Sequence, residues 1–276
     1  MRKYLHINLD SKKIDIEHIS GEKLARAGRY HIAKTLLDKK IANIDALDKN
    51  NPLIFSAGPF AGTNFSNANR ISLGAKSPLT GGIKESNAGG NFAFALGQLE
   101  IAGLSLNGAS DSWVVIHLKQ NGEIDFESAQ EYLGKGLFET AQMLYEKYGK
   151  KISLGICSPV GEYGGLIAGI SFTDPEGRPV RIAARGGLGA VMGMKKVKAV
   201  IVDQAKMPPF HDRKSLMGKI RKYTELLNQD PAIQNLSRNG TALVADLTNH
   251  IGGLPVKNFQ SGQLVEKGTE PFKMGG

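Results

Sequence analysis

The sequence predicts an α+β protein, a sheet-rich N-terminal domain followed by the beginning of an α-helical one. Three observations carry that expectation. Up to about Asp203, apolar residues recur mostly with period two or in short continuous runs, the patterns of half-buried and buried strands. The segment KMPPFHD, residues 206–212, then reads as a linker, because two consecutive prolines remove backbone donors and hold the chain extended. Beyond it, apolar residues return at spacings of three and four. The expected domains are therefore 1–205 and 206–276.

Taken in order, Tyr4 to Leu9, Lys13 to Ile19 and Trp113 to Leu118 alternate apolar with polar residues and are expected to be half-buried strands. Leu53 to Ala57, Ile152 to Cys157 and Val197 to Val202 are short apolar runs, expected to be more deeply buried ones. A helix should follow the Asn87 to Gly90 turn and reach about Ile101, with its N-terminal dipole aimed at whatever the turn binds. A second helix is signalled by a capping box, Ser128 with Glu131, and by Leu133, Leu137, Ala141, Leu144 and Tyr148, closing at Gly149. After the linker, Asp212 can cap a helix bearing Leu216, Ile220, Tyr223 and Leu227. A further helix near Thr241 to Ile251 carries Leu243, Val244, Leu247 and Ile251 on one face. The last stretch, Leu254 to Gly276, has few apolar anchors, and its KMGG ending reads as an interrupted chain.

Composition narrows the class. With 276 residues, 41% of them hydrophobic, the chain can build a real core. No apolar run of about eighteen residues is present, and MRKYLHINLD lacks an apolar signal region, so the expectation is a cytoplasmic protein without a membrane span. The single cysteine, Cys157, excludes an internal disulfide and reads as a buried strand residue. The formal charge of +9 is spread over scattered lysines and arginines without interleaved aromatics, which favours a solvated surface or an acidic protein partner over nucleic acid. The six histidines form no metal-ligand spacing.

The most informative stretch is AGPFAGTNFSNANRISLGAKSPLTGGIKESNAGG, residues 57–90, where small donor-rich residues surround Arg70, Lys76 and Lys84. Glycine allows positive φ and close backbone approach, and Asn, Ser and Thr supply short donors, a composition suited to an anion. A second loop of the same chemistry is RIAARGGLGAVMG, residues 181–193, with Arg185 set against Gly186, Gly187 and Gly189. Two such loops imply one extended ligand. Arg70 could instead be a surface arginine on a β-edge, Arg185 could equally cap its own turn, and Lys76 could neutralise a phosphate or face solvent. The GxGxxxG spacing of Gly187, Gly189 and Gly193 admits a nicotinamide-binding Rossmann enzyme. That fold needs a crossover helix of about ten residues before the next strand, whereas Val197 follows Gly193 almost at once.

The order of these motifs, with the opening strand YLHINLDSKKIDIE, the segment LIFSAGPFAGT, the strand KKVKAVIV and the closing GGLPVKNFQSG, resembles the N-terminal part of the aldehyde ferredoxin oxidoreductase family, the tungsten or molybdenum bis-pterin enzymes. The resemblance runs from about Tyr4 to about Gly262. It implies two β-sheets with flanking helices forming a cofactor base. It implies that main-chain oxygens of Asn87 and Ile182 hold a magnesium ion bridging the pterin phosphates. Ile182 departs from the small residue usual there. Arg70, Arg181, Arg185 and the backbone around Ala88, Gly89, Gly90, Ala184 and Gly187 would contact pterin or phosphate. In that family a 4Fe-4S cluster passes electrons to ferredoxin as an aldehyde is oxidised to an acid. Its cluster cysteines follow the NFQ motif and are absent here, so the chain is expected to be the truncated or split part of an enzyme, inactive alone. The implied partners are ferredoxin or another iron-sulfur carrier, the remaining helical domains or a complementary chain, and a second copy in a homodimer, with no nucleic acid and no membrane. No catalytic residue is assigned. The alternative from a different class is a noncatalytic scaffold subunit that retains the fold without the cofactor.

Overall fold

Period-two sequence builds two sheets, seen in a computed structural model that describes residues 1–265; the KMGG ending lies outside the described residues. The first sheet contains β1 (Arg2–Asn8), β2 (Ile14–Ile19), β3 (Leu53–Ala57), β4 (Ile71–Lys76), β5 (Ile83–Ala88) and β6 (Ile101–Asn107), in the order β2-β1-β6-β3-β4-β5. The second contains β7 (Val114–Leu118), β8 (Ile124–Ser128), β9 (Ile152–Cys157), β10 (Ile170–Phe172), β11 (Arg181–Ala183) and β12 (Val197–Asp203), in the order β11-β10-β9-β12-β7-β8. Both sheets are mixed: β1 with β6 and β12 with β7 run parallel, and the remaining pairs antiparallel. Neither is the doubly wound parallel sheet that a Rossmann enzyme would require.

The core lies between the sheets. Leu5, Phe55, Leu73 and Leu104 of the first face Ile116, Phe172 and Val200 of the second. Two short helices share this layer: α3 (Phe92–Gln98), whose Phe92 ring stands 5.0 Å from Phe172, and α6 (Leu188–Met194), buried at every residue but the last. Each leaves one of the two glycine-rich loops. Outside the first sheet, α1 (Gly21–Ala25) precedes α2 (Arg29–Asp38), which lays Ile32 and Leu36 against Tyr4, Ile19 and Ile54. Outside the second, α4 (Leu137–Tyr148) sets Ala141 and Leu144 against Leu154, Ile156 and Ile201; α5 (Pro159–Glu162) follows β9 and packs on α6.

The chain divides into two compact units between Phe210 and His211. The second unit is helical, with α7 (Arg213–Gln229), α8 (Pro231–Asn239) and α9 (Ala245–His250). Asp212 caps α7 by accepting from the Ser215 N–H at 2.8 Å, and Asp230 caps α8.

Several expectations change. The expected Trp113 to Leu118 strand, now β7, is buried on both faces, because its polar member His117 finds Asp203 at 2.7 Å inside the protein. Ser128 does not open a helix: it ends β8, paired with Val114, and α4 starts at Leu137 after Gly136. The helix after Gly90 stops at Gln98, and Glu100 at φ +59 turns the chain into β6, which runs through the middle of the first sheet. In the second unit, Gly240–Val244 is a 3-10 turn that leads into α9.

Candidate functional site

β5 and β11 are edge strands of different sheets, and they pack against each other. An edge strand leaves alternate main-chain N–H and C=O groups unpaired. The seam between them is therefore lined with backbone donors and acceptors, and both glycine-rich turns open at its ends. Gly90 adopts φ +100, and a Cβ there would stand 2.3 Å from the Thr173 carbonyl oxygen and 3.2 Å from Arg181 Cγ. Only glycine lets this turn close on the second sheet. Gly186 and Gly187 adopt φ +80 and +71, and a Cβ on Gly186 would stand 2.3 Å from Lys84 Cγ.

Hydrogen bonds tie each turn to the opposite side of the seam. The Asn91 N–H donates to Thr173 O at 2.8 Å and its Nδ2 to Asp174 O at 3.0 Å. The Arg185 N–H donates to Ser86 Oγ at 3.3 Å, and Ser77 Oγ donates to Gly186 O at 2.7 Å. Asp174, fully buried, anchors the β10–β11 connection by accepting from the N–H groups of Glu176 and Arg178 and from Arg178 Nε at 2.9 Å. Burial opposes its charge, but the Arg178 guanidinium and these N–H groups hold its carboxyl below the usual range.

The structure brings most of the sequence-derived residues to this seam, with the side chains of Arg70 and Asn87 on the outer face of the first sheet beside it. Arg70 immediately precedes β4; its Nε donates to Asn87 Oδ1, and a Cβ on Gly89 would lie 3.6 Å from its guanidinium. Asn87 in turn donates to Ser72 Oγ at 3.0 Å. Ala88 ends β5 and is buried, whereas Arg181, Ala184 and Arg185 are exposed and Ile182 is 49% exposed. Gly187 is buried and opens α6. Beside Arg70 lies a cleft of about 350 Å³, lined in part by Gly28, Ser56, Phe60, Phe65 and Asn67, with the two phenylalanine rings stacked at 5.6 Å.

Among the described residues, Arg70, Lys84, Arg181 and Arg185 have no carboxylate partner. Four unpaired cations around a backbone-rich seam make a positive potential that an anion would satisfy. Lys76 takes neither of its expected roles: its ammonium donates to Ala42 O at 2.6 Å and Ile44 O at 2.7 Å and stitches the outer layer to β4. Cys157 lies away from the seam, its thiol pushed up to about 12 by burial. Among the described residues, no group of three or more His, Cys, Asp or Glu could hold a metal. An ion at the seam would have to rest on main-chain oxygens.

The sequence gives no separate signal for Ser77, Ser86, Asn91 or Asp174, since polar residues in loops look alike until the loops are seen to touch.

Residues 4–204 match the family described as aldehyde ferredoxin oxidoreductase, N-terminal domain. The tungsten-containing aldehyde ferredoxin oxidoreductase of Pyrococcus furiosus is 34% identical over 265 residues, which cover 94% of this chain and 43% of that protein. The enzyme of the same name from Thermococcus kodakarensis is 33% identical over 268 residues, with the same coverage, 94% and 43%. Among solved structures, the active site complex BamBC of benzoyl coenzyme A reductase superimposes with a TM-score of 0.76 at 25% identity, over 83% of this chain and 35% of that one. The chain thus spans less than half the length of the curated relatives it matches.

Proposed function

Because the chain belongs to the aldehyde ferredoxin oxidoreductase family, through that family's N-terminal domain, we propose that it is the cofactor-binding base of a tungsten-pterin oxidoreductase and that the β5–β11 seam is where the cofactor sits. The observation that supports this most is the set of four cations without carboxylate partners around a glycine-lined seam. The residues fit the group: glycine at 90 and 186 lets the two turns close on Arg181 and Lys84, which sets backbone N–H groups beside cations along the seam, and the arginines suit phosphate.

In this reading Arg70 and Arg181 bind pterin or phosphate near the Gly89–Gly90 turn. Arg185 and the backbone of Ala184 and Gly187 do so at the other loop, and Ala88 sets the end of β5. Main-chain oxygens of Asn87 and Ile182 would hold magnesium, a hard cation that keeps several waters and needs few protein ligands. A main-chain ligand is indifferent to the Ile182 side chain. When bound, the metal-pterin group supplies the redox chemistry that oxidises an aldehyde or related carbonyl compound to an acid. The chain's own residues bind and orient that group. The sequence holds one cysteine, so this chain does not itself supply four thiolates for a 4Fe-4S cluster. Electron transfer to ferredoxin, the remaining helical domains or a complementary chain, a homodimer and cytoplasmic residence belong to the same proposal. Tungsten is preferred to molybdenum because the relatives are tungsten-containing.

The test is the tungsten and pterin content of protein purified from cells supplied with tungstate, native against Arg70→Ala. The proposal expects both to co-purify with the native protein and to fall together in the variant. Equal content in the two would remove Arg70 from the site. Neither group in the native protein would favour the scaffold subunit.

A further inference from the structure

Lys84 lies outside the set of residues matched to the family motif, yet the fold gives it an unusual position. Side chains alternate along β5, so Lys84, Ser86 and Ala88 share the face that looks toward the second sheet, while Glu85 and Asn87 share the outer face. The outer face is settled by partners: Glu85 pairs with Arg29 at 3.5 Å, and Asn87 bonds Arg70 and Ser72. On the inner face, Ser86 and Ala88 are buried and Lys84 is half-buried.

Lys84 is half-buried, so its apolar stem packs on the core side of β5 while its ammonium stays open to solvent or a ligand. The stem of Lys84 runs across Gly186, which makes room for it by lacking a Cβ. Among the described residues, the Lys84 ammonium has neither a carboxylate nor a carbonyl partner. Lys76 provides the contrast. It lies on the neighbouring strand, one position along from the Ala75–Lys84 pair and so on the opposite face, and two carbonyls take up its charge. The Arg185 N–H is bonded to Ser86 Oγ, which places the second loop directly beside the Lys84 row. Arg70 is bonded to Asn87, about 10 Å along β5 from Lys84, and Gly186 packs on the Lys84 stem, so Lys84 and Arg185 lie toward the start of β5 and Arg70 toward its end.

We infer that Lys84 is a further anion-binding residue of the seam, gripping with Arg185 a phosphate-class group at the end away from Arg70. This rests on the reading of the seam as the site of an anionic cofactor. A compact ammonium suits the task, as a point charge able to meet a phosphate oxygen from several directions.

The experiment is calorimetric titration of the purified chain with inorganic pyrophosphate at low salt, comparing the native protein with Lys84→Met, Lys84→Gln, Lys84→Arg and Arg70→Gln. Methionine keeps the stem over Gly186 and removes only the charge. The expected result is about a five- to tenfold loss of affinity in Lys84→Met and Lys84→Gln, near-native affinity in Lys84→Arg, and a shallower salt dependence in the neutral variants. An unchanged melting temperature shows that binding rather than folding was lost. Native affinity in Lys84→Met and Lys84→Gln, with Arg70→Gln weakened, overturns the inference and leaves the seam reading standing. No pyrophosphate binding by the native chain, or native affinity in all four variants, overturns both.

Discussion

Lys195 shows how single residues hold the inner layer in place. It follows α6 directly, is almost fully buried, and its ammonium donates to Lys49 O at 2.9 Å and Gly108 O at 3.0 Å, fastening the end of the helix to loops of the first sheet. Burial pushes its pKa down to about 8, against the pull of Asp10 and Asp48. Between about 8 and the ordinary 10.5, the unfolded chain therefore binds the proton that the folded chain has released. Stability from this group rises with pH across that window and is flat below it. Denaturant titrations of native protein and Lys195→Met should diverge in favour of the native protein above pH 8, by on the order of 1 kcal/mol per pH unit. Parallel curves would mean that the ammonium stays charged on its two carbonyls. Residues of this kind were not legible beforehand. Lys195 sits in KKVK, a run that reads as solvated surface, and only the fold turns it inward.

At the scale of elements, the strands were the legible part. Leu53 to Ala57 and Ile152 to Cys157 emerge with the expected bounds because uninterrupted apolar runs have one comfortable place, the middle of a covered sheet. Asp212 was equally readable as the cap of α7. The capping box at Ser128 misled, because a local signal worth about 1 kcal/mol yields to the pairing of β8 with β7. The strand β6 was missed because its first residue falls where a helical pattern ends, and short β10 and β11 carry too few residues to show a period. Close packing of α6 is a second thing that sequence hides. A Cβ on Gly193 would stand 1.8 Å from Gly161 O, so α5 and α6 touch backbone to backbone. Gly193→Ala is expected to cost about 1–3 kcal/mol and to lower the melting temperature without changing secondary-structure content. A neutral effect would mean that α5 can move aside freely.

For the molecule as a whole, the arrangement explains why two distant, donor-rich loops share one chemistry. Each leaves the edge strand of a different sheet, and each enters a short helix buried between the sheets, so packing the sheets together sets the two loops side by side. The loops and their arginines were visible in the sequence. Lys84 was visible too, as a basic residue of the first loop; that it meets the second loop, and that Ser77, Ser86 and Asn91 join them, was not, because it depends on which edges meet. The central claim is that this seam holds an anionic cofactor. Mapping backbone amide shifts of the isotope-labelled chain during titration with magnesium pyrophosphate tests it most directly. The account predicts shifts concentrated at Gly89, Gly90, Ala184, Arg185, Gly186 and Gly187. Shifts confined to the basic helix α7 or to a separate cleft lined by Phe138 and Tyr145 of α4, or no shifts at all, would contradict it.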